Sequence, residues 1–199
     1  GILSNDELRS FDEKHSGTIL GEGAGAIILE SQSSCESRNA KKYCEVLAGK
    51  TTGDGQGIFS VDDESASLKN LVNQLCQAAS KQTSDLGMVT AHANGNKKSD
   101  ITESLAYNSL LEDTPVTGFK WALGHTLCAS GLLDVVMTVK SLEKQVIPGI
   151  KAFDKLSSQC SKISVSKDAR ILEKSVAMVV NRGFGGLNSG ILLDKNCSK

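Results

Sequence analysis

This 199-residue chain carries no excess of either charge: 22 Lys and Arg stand against 23 Asp and Glu, a net of −1. That balance gives no reason to expect nucleic acid or an acidic membrane surface as a partner. No apolar run approaches the ~20 residues that span a bilayer. No basic stretch followed by an apolar one opens the chain, so a secretory signal is not expected. There is no initiator Met, and Gly1 reads as the start of a processed product or a fragment. No C-x-x-C pair and no zinc-finger spacing occurs, so no metal site is expected. The six cysteines (Cys35, Cys44, Cys76, Cys128, Cys160, Cys197) read as reduced thiols in a cytoplasmic protein. There is no solenoid repeat, low-complexity tract or clear linker.

Hydrophobic residues make up 39% and charged residues 23%, so the chain is globular. Thr18 to Glu30 reads as a central strand with glycines inside it, packed closely by another element. No Lys-Ser/Thr follows Gly21 to Gly25, which argues against a phosphate loop. Glu45 to Gly49 is a short strand and Thr51 to Gly57 a loop. A helix is expected from Asp62 or Asp63 to about Ser80, with Leu68, Leu71, Val72, Leu75, Cys76 and Ala79 on one stripe. Gly87 to Ala91 is a strand and Asp100 opens a helix. Val116 to Trp121 is a strand, and a helix is expected from His125 to Glu143. Val146-Ile147-Pro148 is an edge segment. Val176 to Val180 and Gly190 to Leu193 are strands joined by a Gly183–Gly186 turn. Alternating elements with apolar strands predict an α/β domain with helices on both faces of a sheet.

Two of the three histidines stand just past predicted strands, in His92-Ala93-Asn94-Gly95-Asn96 and Lys120-Trp121-Ala122-Leu123-Gly124-His125. Such a repetition predicts two imidazoles meeting at one site.

Six segments then match one family in order. Arg9-Ser10-Phe11-Asp12 resembles R-P-F-D, and Gly21-Glu22-Gly23-Ala24-Gly25 matches G-E-G-A-G. His92 through Glu103 resembles H-G-T-G-T-x-x-x-D-x-x-E, with His92, Asp100 and Glu103 in register. Lys120 through Gly131 resembles K-S-x-x-G-H-x-x-G-A-A-G. Ile147-Pro148 matches I-P, and Gly183 to Asn188 resembles G-F-G-G-T-N. The chain resembles the C-terminal half of a β-ketoacyl synthase, a thiolase-fold condensing enzyme.

The resemblance implies an α/β, thiolase-like fold: a mixed sheet layered with helices, completed by a partner's N-terminal half. It divides the chain into residues 1–50, the end of the N-terminal half, and 51–199, the C-terminal ketosynthase domain. It implies an acyltransferase that decarboxylates malonyl on acyl carrier protein and condenses the carbanion with an acyl thioester, in fatty acid or polyketide synthesis. His92 and His125 would donate to the thioester oxygen as charge develops, each worth about 3 kcal/mol in the transition state. Lys120 and Glu103 would form an ion pair holding the rings. Phe184 would gate the acyl pocket and offer its N–H to the acyl oxyanion. Asn94 and Asn96 stand where two threonines bind phosphopantetheine, and Gly185 and Gly186 complete the substrate site. No cofactor is expected to bind tightly, since the pantetheine arrives on the carrier protein. The family's nucleophilic Cys belongs ahead of Arg9. The resemblance therefore implies a partner chain supplying that thiol, and a further dimer formed through it.

Each residue also has a plain alternative. Lys120 could be a solvated strand end, Glu103 a first-turn residue favoured by the helix dipole, and Phe184 a core ring. Cys128 reads as a packing thiol. The departures at Asn94, Asn96, Arg182 and Leu187 keep a second reading open, a non-catalytic chain-length-factor-like or scaffolding subunit. A thiolase-type transferase fits less well, because the C-terminal turn lacks a second Cys.

Overall fold

The computed structural model describes residues 2–58, 61–111 and 113–196. Gly1 and Cys197 lie outside them. Among the described residues, six strands form one mixed sheet in the order β1 (Glu45–Gly53), β8 (Leu187–Asp194), β7 (Val176–Gly183), β2 (Leu86–Thr90), β3 (Pro115–Thr117), β5 (Ser164–Val165). β1, β8 and β7 run antiparallel in turn, Glu45 opposite Asp194 and Val176 opposite Asp194. β7, β2, β3 and β5 are parallel. β4 (Val146–Ile147) pairs with β6 (Arg170–Ile171) as a separate ribbon, the edge position that Pro148 requires.

Helices cover both faces, as the alternation of elements predicts. On one face, α2 (Ala66–Ala78) buries Leu68, Leu71, Val72, Leu75 and Cys76, the predicted stripe, beside Ala106 and Tyr107 of α3 (Lys97–Leu110). Each such side chain contributes about 1.5–3 kcal/mol by leaving water. On the other face, Leu142 of α5 (Ser130–Lys144) packs with Met88, Ala177 and Val179. β2, central and buried at every residue, needs the uninterrupted apolar run Leu86 to Val89.

The Arg9-Ser10-Phe11-Asp12 motif ties the first residues onto this core. Phe11 is fully buried, and its N–H donates to Asp100 Oδ2 at 2.7 Å. Asp12 accepts the N–H groups of Asp154 and Lys155 at 2.7 and 2.9 Å, while Arg9 reaches the Ala152 carbonyl at 3.0 Å.

Four expectations are corrected. Gly21 to Ser31 forms no strand and pairs with none among the described residues, and every residue of it after Gly21 is exposed. One side does pack as foreseen: a Cβ on Gly23 would meet Leu133 at 3.1 Å, and one on Gly25 would meet Leu132 at 3.2 Å. What is missing is a neighbouring strand. The predicted strand over Val116–Trp121 stops at Thr117, and Lys120 opens a helical turn, α4 (Lys120–Leu123). The helix expected from His125 starts only at Ser130, after a 3-10 turn over Leu127–Ala129. β1 extends through Gly53, so the loop expected from Thr51 starts only at Asp54. A short helix, α1 (Gln32–Ser37), precedes β1.

Candidate active site

Because β2 and β3 are parallel, their C-terminal ends lie on one edge of the sheet, and each leads to one histidine. The rings of His92 and His125 stand with centroids 5.3 Å apart and planes at 76°. Backbone groups orient both. His92 Nδ1 accepts the Arg182 N–H at 3.3 Å, and His125 Nδ1 accepts the Leu127 N–H at 3.1 Å. A neutral imidazole that accepts at Nδ1 carries its proton on Nε2. The chain thus builds two Nε2–H donors side by side.

The surroundings keep the rings neutral. Burial pushes His92 well below the usual histidine range, with the Lys120 ammonium, His125 and Arg182 adding to it and contact with the Asn181 amide pulling weakly back. Partial burial, then Lys120, lowers His125 to about 4. Lys120 is itself 2% exposed and donates to Asp134 Oδ2 at 2.6 Å. Burial raises the Asp134 carboxyl, against the pull of Lys120. A buried cation beside two imidazoles opposes a third positive charge on either ring.

The expected Lys120–Glu103 ion pair is not formed. α3 and α5 cover opposite faces of the sheet, and Lys120 turns to the α5 side. Glu103 spends its carboxylate on the turn that bears the first histidine: Oε1 accepts the His92 N–H at 2.7 Å, and Oε2 the Ala93 N–H at 2.9 Å. The Tyr107 hydroxyl, one turn along α3, donates to Oε1 at 2.8 Å. Glu103 is fully buried beyond the first turn of α3, which removes the alternative of a solvated helix-start residue. These bonds hold Ala93 at φ 43°, and near the other ring Leu127 sits at φ 51°. Two non-glycine residues in the left-handed region, each beside a site histidine, are strain the surrounding structure must hold.

The remaining residues fall around this pair. The Asn94 Oδ1 accepts the Asn96 N–H at 3.0 Å, and Asn96 caps α3 by accepting the Ser99 N–H at 3.2 Å. The turn between β7 and β8 has Gly185 at φ 81° and Gly186 at φ 72°, whereas Gly183 needs no such angle. Gly185 donates to the Ile58 carbonyl at 2.8 Å, and the Gly186 carbonyl accepts the Asp54 N–H at 2.8 Å. Phe184 is 67% exposed at the tip of this turn, so it is not a core ring. Cys128 is exposed, not packed. Sequence reasoning missed Asp134, Tyr107 and Asn181. Asp134 left a trace: a lone carboxylate in Leu132-Leu133-Asp134-Val135-Val136. Tyr107 lies at i+4 from Glu103 on the same helix face. Asn181 gave no signal beyond its place before the glycine turn.

Residues 43–154, more than half of the chain, match the family model described as "Beta-ketoacyl synthase, C-terminal domain". The chain belongs to the beta-ketoacyl synthase family. It is 28% identical to the tetracenomycin polyketide synthase ketoacyl synthase alpha subunit of Streptomyces glaucescens, over 93% of this chain and 44% of that one. It is 28% identical to a 3-oxoacyl-(acyl-carrier-protein) synthase homolog of Saccharomyces cerevisiae, over 98% of this chain and 47% of the relative. The solved structure of the ishigamide ketosynthase/chain length factor superposes with a TM-score of 0.92 at 25% identity, covering 98% of this chain and 48% of that one. The chain spans about half the length of the curated relatives it matches. Its mixed sheet, with α2 and α3 on one side and α5 on the other, is the C-terminal half of the thiolase-like ketosynthase fold.

Proposed function

We propose that this chain works as the C-terminal part of a β-ketoacyl-acyl carrier protein synthase, in fatty acid or polyketide synthesis. The observation that carries the reading is the pair of neutral Nε2–H donors 5.3 Å apart, centroid to centroid. In this reading malonyl, bound as a thioester to carrier-protein phosphopantetheine, loses CO2, and the electrons of the broken C–C bond move toward the thioester oxygen. His92 and His125 donate to that oxygen, placed where charge develops. The carbanion then attacks an acyl thioester held on a Cys of another part of the synthase, and that Cys leaves as the thiolate. Lys120 keeps the imidazoles uncharged, and Glu103 fixes the His92 turn. Phe184, with Gly185 and Gly186, gates the acyl pocket and places a backbone N–H at the acyl oxyanion. Asn94 and Asn96 shape the turn met by the pantetheine arm.

In this reading the nucleophilic Cys and a second sheet belong to the N-terminal ketosynthase half, and the assembly dimerises through that half. The bare Gly21–Ser31 segment supports this: its Ile27, Ile28 and Leu29 are 44%, 86% and 73% exposed. An apolar stretch of that kind calls for a cover. Among the described residues no helix is long and apolar enough to cross a membrane, and the free thiols fit the cytoplasm.

The test is to mix the chain with the N-terminal half and follow CO2 release from malonyl-acyl carrier protein. His125→Ala should lower the rate about 100-fold; an unchanged rate would remove the reading. The second reading, a chain-length-factor-like subunit, draws on the departures at Asn94, Asn96, Arg182 and Leu187. It wins if condensation keeps its full rate with both His92 and His125 changed to Ala.

A further inference from the structure

Arg182 is the departure with the most structure around it. Its side chain is 5% exposed, yet no carboxylate grips it closely: Asp54 Oδ2 stands 3.9 Å from Nη2. Instead Nε donates to Asn188 Oδ1 at 2.9 Å, and Nη1 donates to the Ser99 carbonyl at 3.1 Å and the Thr102 hydroxyl at 2.8 Å. Asn188 passes the connection on, its Nδ2 donating to Asp54 Oδ1 at 2.7 Å and to Ser67 Oγ at 2.8 Å. One guanidinium therefore binds β7 to a backbone carbonyl and a hydroxyl of α3, to β8 through Asn188, and through it to the loop after β1. The backbone of the same residue carries the N–H that His92 Nδ1 accepts. A long, planar side chain with donors in a fixed fork suits such a three-way anchor, and lysine does not reproduce it.

We propose that Arg182 is a positioning residue: its guanidinium, clamped to α3 and Asn188, fixes the backbone N–H that holds His92 as the Nε2–H donor. The structural part stands alone; its consequence for turnover rests on the decarboxylation proposed above. Glu103 anchors the His92 turn from α3 through its N–H groups, and Arg182 anchors β7 to the same helix. The ring and its backbone donor are thus both referenced to α3. A shift of a few tenths of an ångström at β7 would lengthen a bond that is already 3.3 Å and free the ring to exchange tautomers.

The test uses the assembled synthase with only this chain's three histidines labelled with 15N. Two-bond 1H–15N spectra read the tautomer of each ring. The unaltered protein should show His92 with its proton on Nε2. Arg182→Met should give a mixture of tautomers at His92, leave His15 unchanged, and lower the decarboxylation kcat about 10-fold with KM changed less than 2-fold. Thr102→Val removes one acceptor and keeps the shape of the helix side chain. It should move the same signal less, and it serves where Arg182→Met does not fold. Arg182→Lys should rescue less than half of the lost rate. An unaltered His92 signature in folded Arg182→Met or in Thr102→Val overturns the proposal. Absence of decarboxylation in the unaltered assembly would count against the enzyme reading alone, because the tautomer result does not depend on turnover.

Discussion

The two ends of the histidine pair are built differently. The His92 end is sealed: His92 is 2% exposed, Glu103 and Ala93 are fully buried, and the polar groups of the turn are paired. The His125 end is open. Leu123 and Leu127 on either side are 42% and 58% exposed, Phe184 is 67% exposed, and the bare Gly21–Ser31 segment touches His125 through Gly21, which donates to its carbonyl at 3.1 Å. The difference teaches how the labour is divided. The groups that orient and neutralise the rings lie among the described residues, while the surface around His125 stays open.

The largest expected effect is on the sealed end. Glu103→Ala leaves three buried donors without an acceptor, at about 1–3 kcal/mol each. Chemical denaturation should show a loss of at least about 3 kcal/mol, or no folded protein. Glu103→Gln, which keeps one acceptor oxygen, should lose less. A loss below 1 kcal/mol for the alanine variant would mean that the turn is held by something else.

Breaking the Lys120–Asp134 pair comes next. Lys120→Met strands a buried carboxylate and should cost about 3–5 kcal/mol, while Lys120→Met with Asp134→Leu should recover most of it. The double variant separates stability from chemistry. It should fold, yet its histidines should titrate at higher pH, since the cation that opposes their protonation is gone. Equal histidine titration with and without Lys120 would contradict the role given to it.

Acid should act through the rings with a defined sign. The native pKa of His125 is depressed to about 4 from an ordinary 6.5, so the unfolded chain takes up the proton first. Its contribution to stability is full above about pH 6.5 and is lost as pH falls toward 4. Asp100, raised to about 6 by burial, acts in the opposite sense: its contribution is full below about 3.8 and fades as pH rises through 6. Denaturation from pH 4 to 8 in His125→Asn should show a smaller fall on the acid side than the unaltered chain. An identical profile would remove the assignment.

The smallest effect on stability, with a large one on assembly, belongs to the open end. Ile28→Asp changes a side chain 86% exposed and should move the unfolding free energy of the chain by less than about 0.5 kcal/mol. The same change should weaken binding to the N-terminal half at least 10-fold in a calorimetric titration. Unchanged binding would place the seam elsewhere.

The sequence made the sealed end legible because local chemistry repeats there. A strand followed by a histidine needs only short-range reasoning, whereas the cap made by Asn96 and the Tyr107 hydroxyl on Glu103 went unread. The open end misled for a physical reason. Thr18 to Glu30 has the composition of a central strand, but pairing requires a neighbour, and after the bridge of Leu20 to His125 none of the described strands pairs with Gly21 to Glu30. The Lys120–Glu103 pair failed for a related cause. Opposite charges in register along a motif do not say on which face of the sheet each helix packs. Asp134, only 14 residues further along the chain but on the other face, is the partner the fold provides. Arg182 was visible as a departure, but its attachment to α3 depends on contacts 80 and 83 residues apart in sequence.

The central claim is that His92 and His125 face one oxygen while the third histidine serves the scaffold. Titrating the 15N-histidine-labelled assembly with a stable malonyl-thioester analogue tests it most directly. The account predicts that the Nε2 signals of His92 and His125 move together with one dissociation constant, while His15, buried against Asp100, stays still. Movement of one site ring alone, or of His15 as much as either, would contradict it.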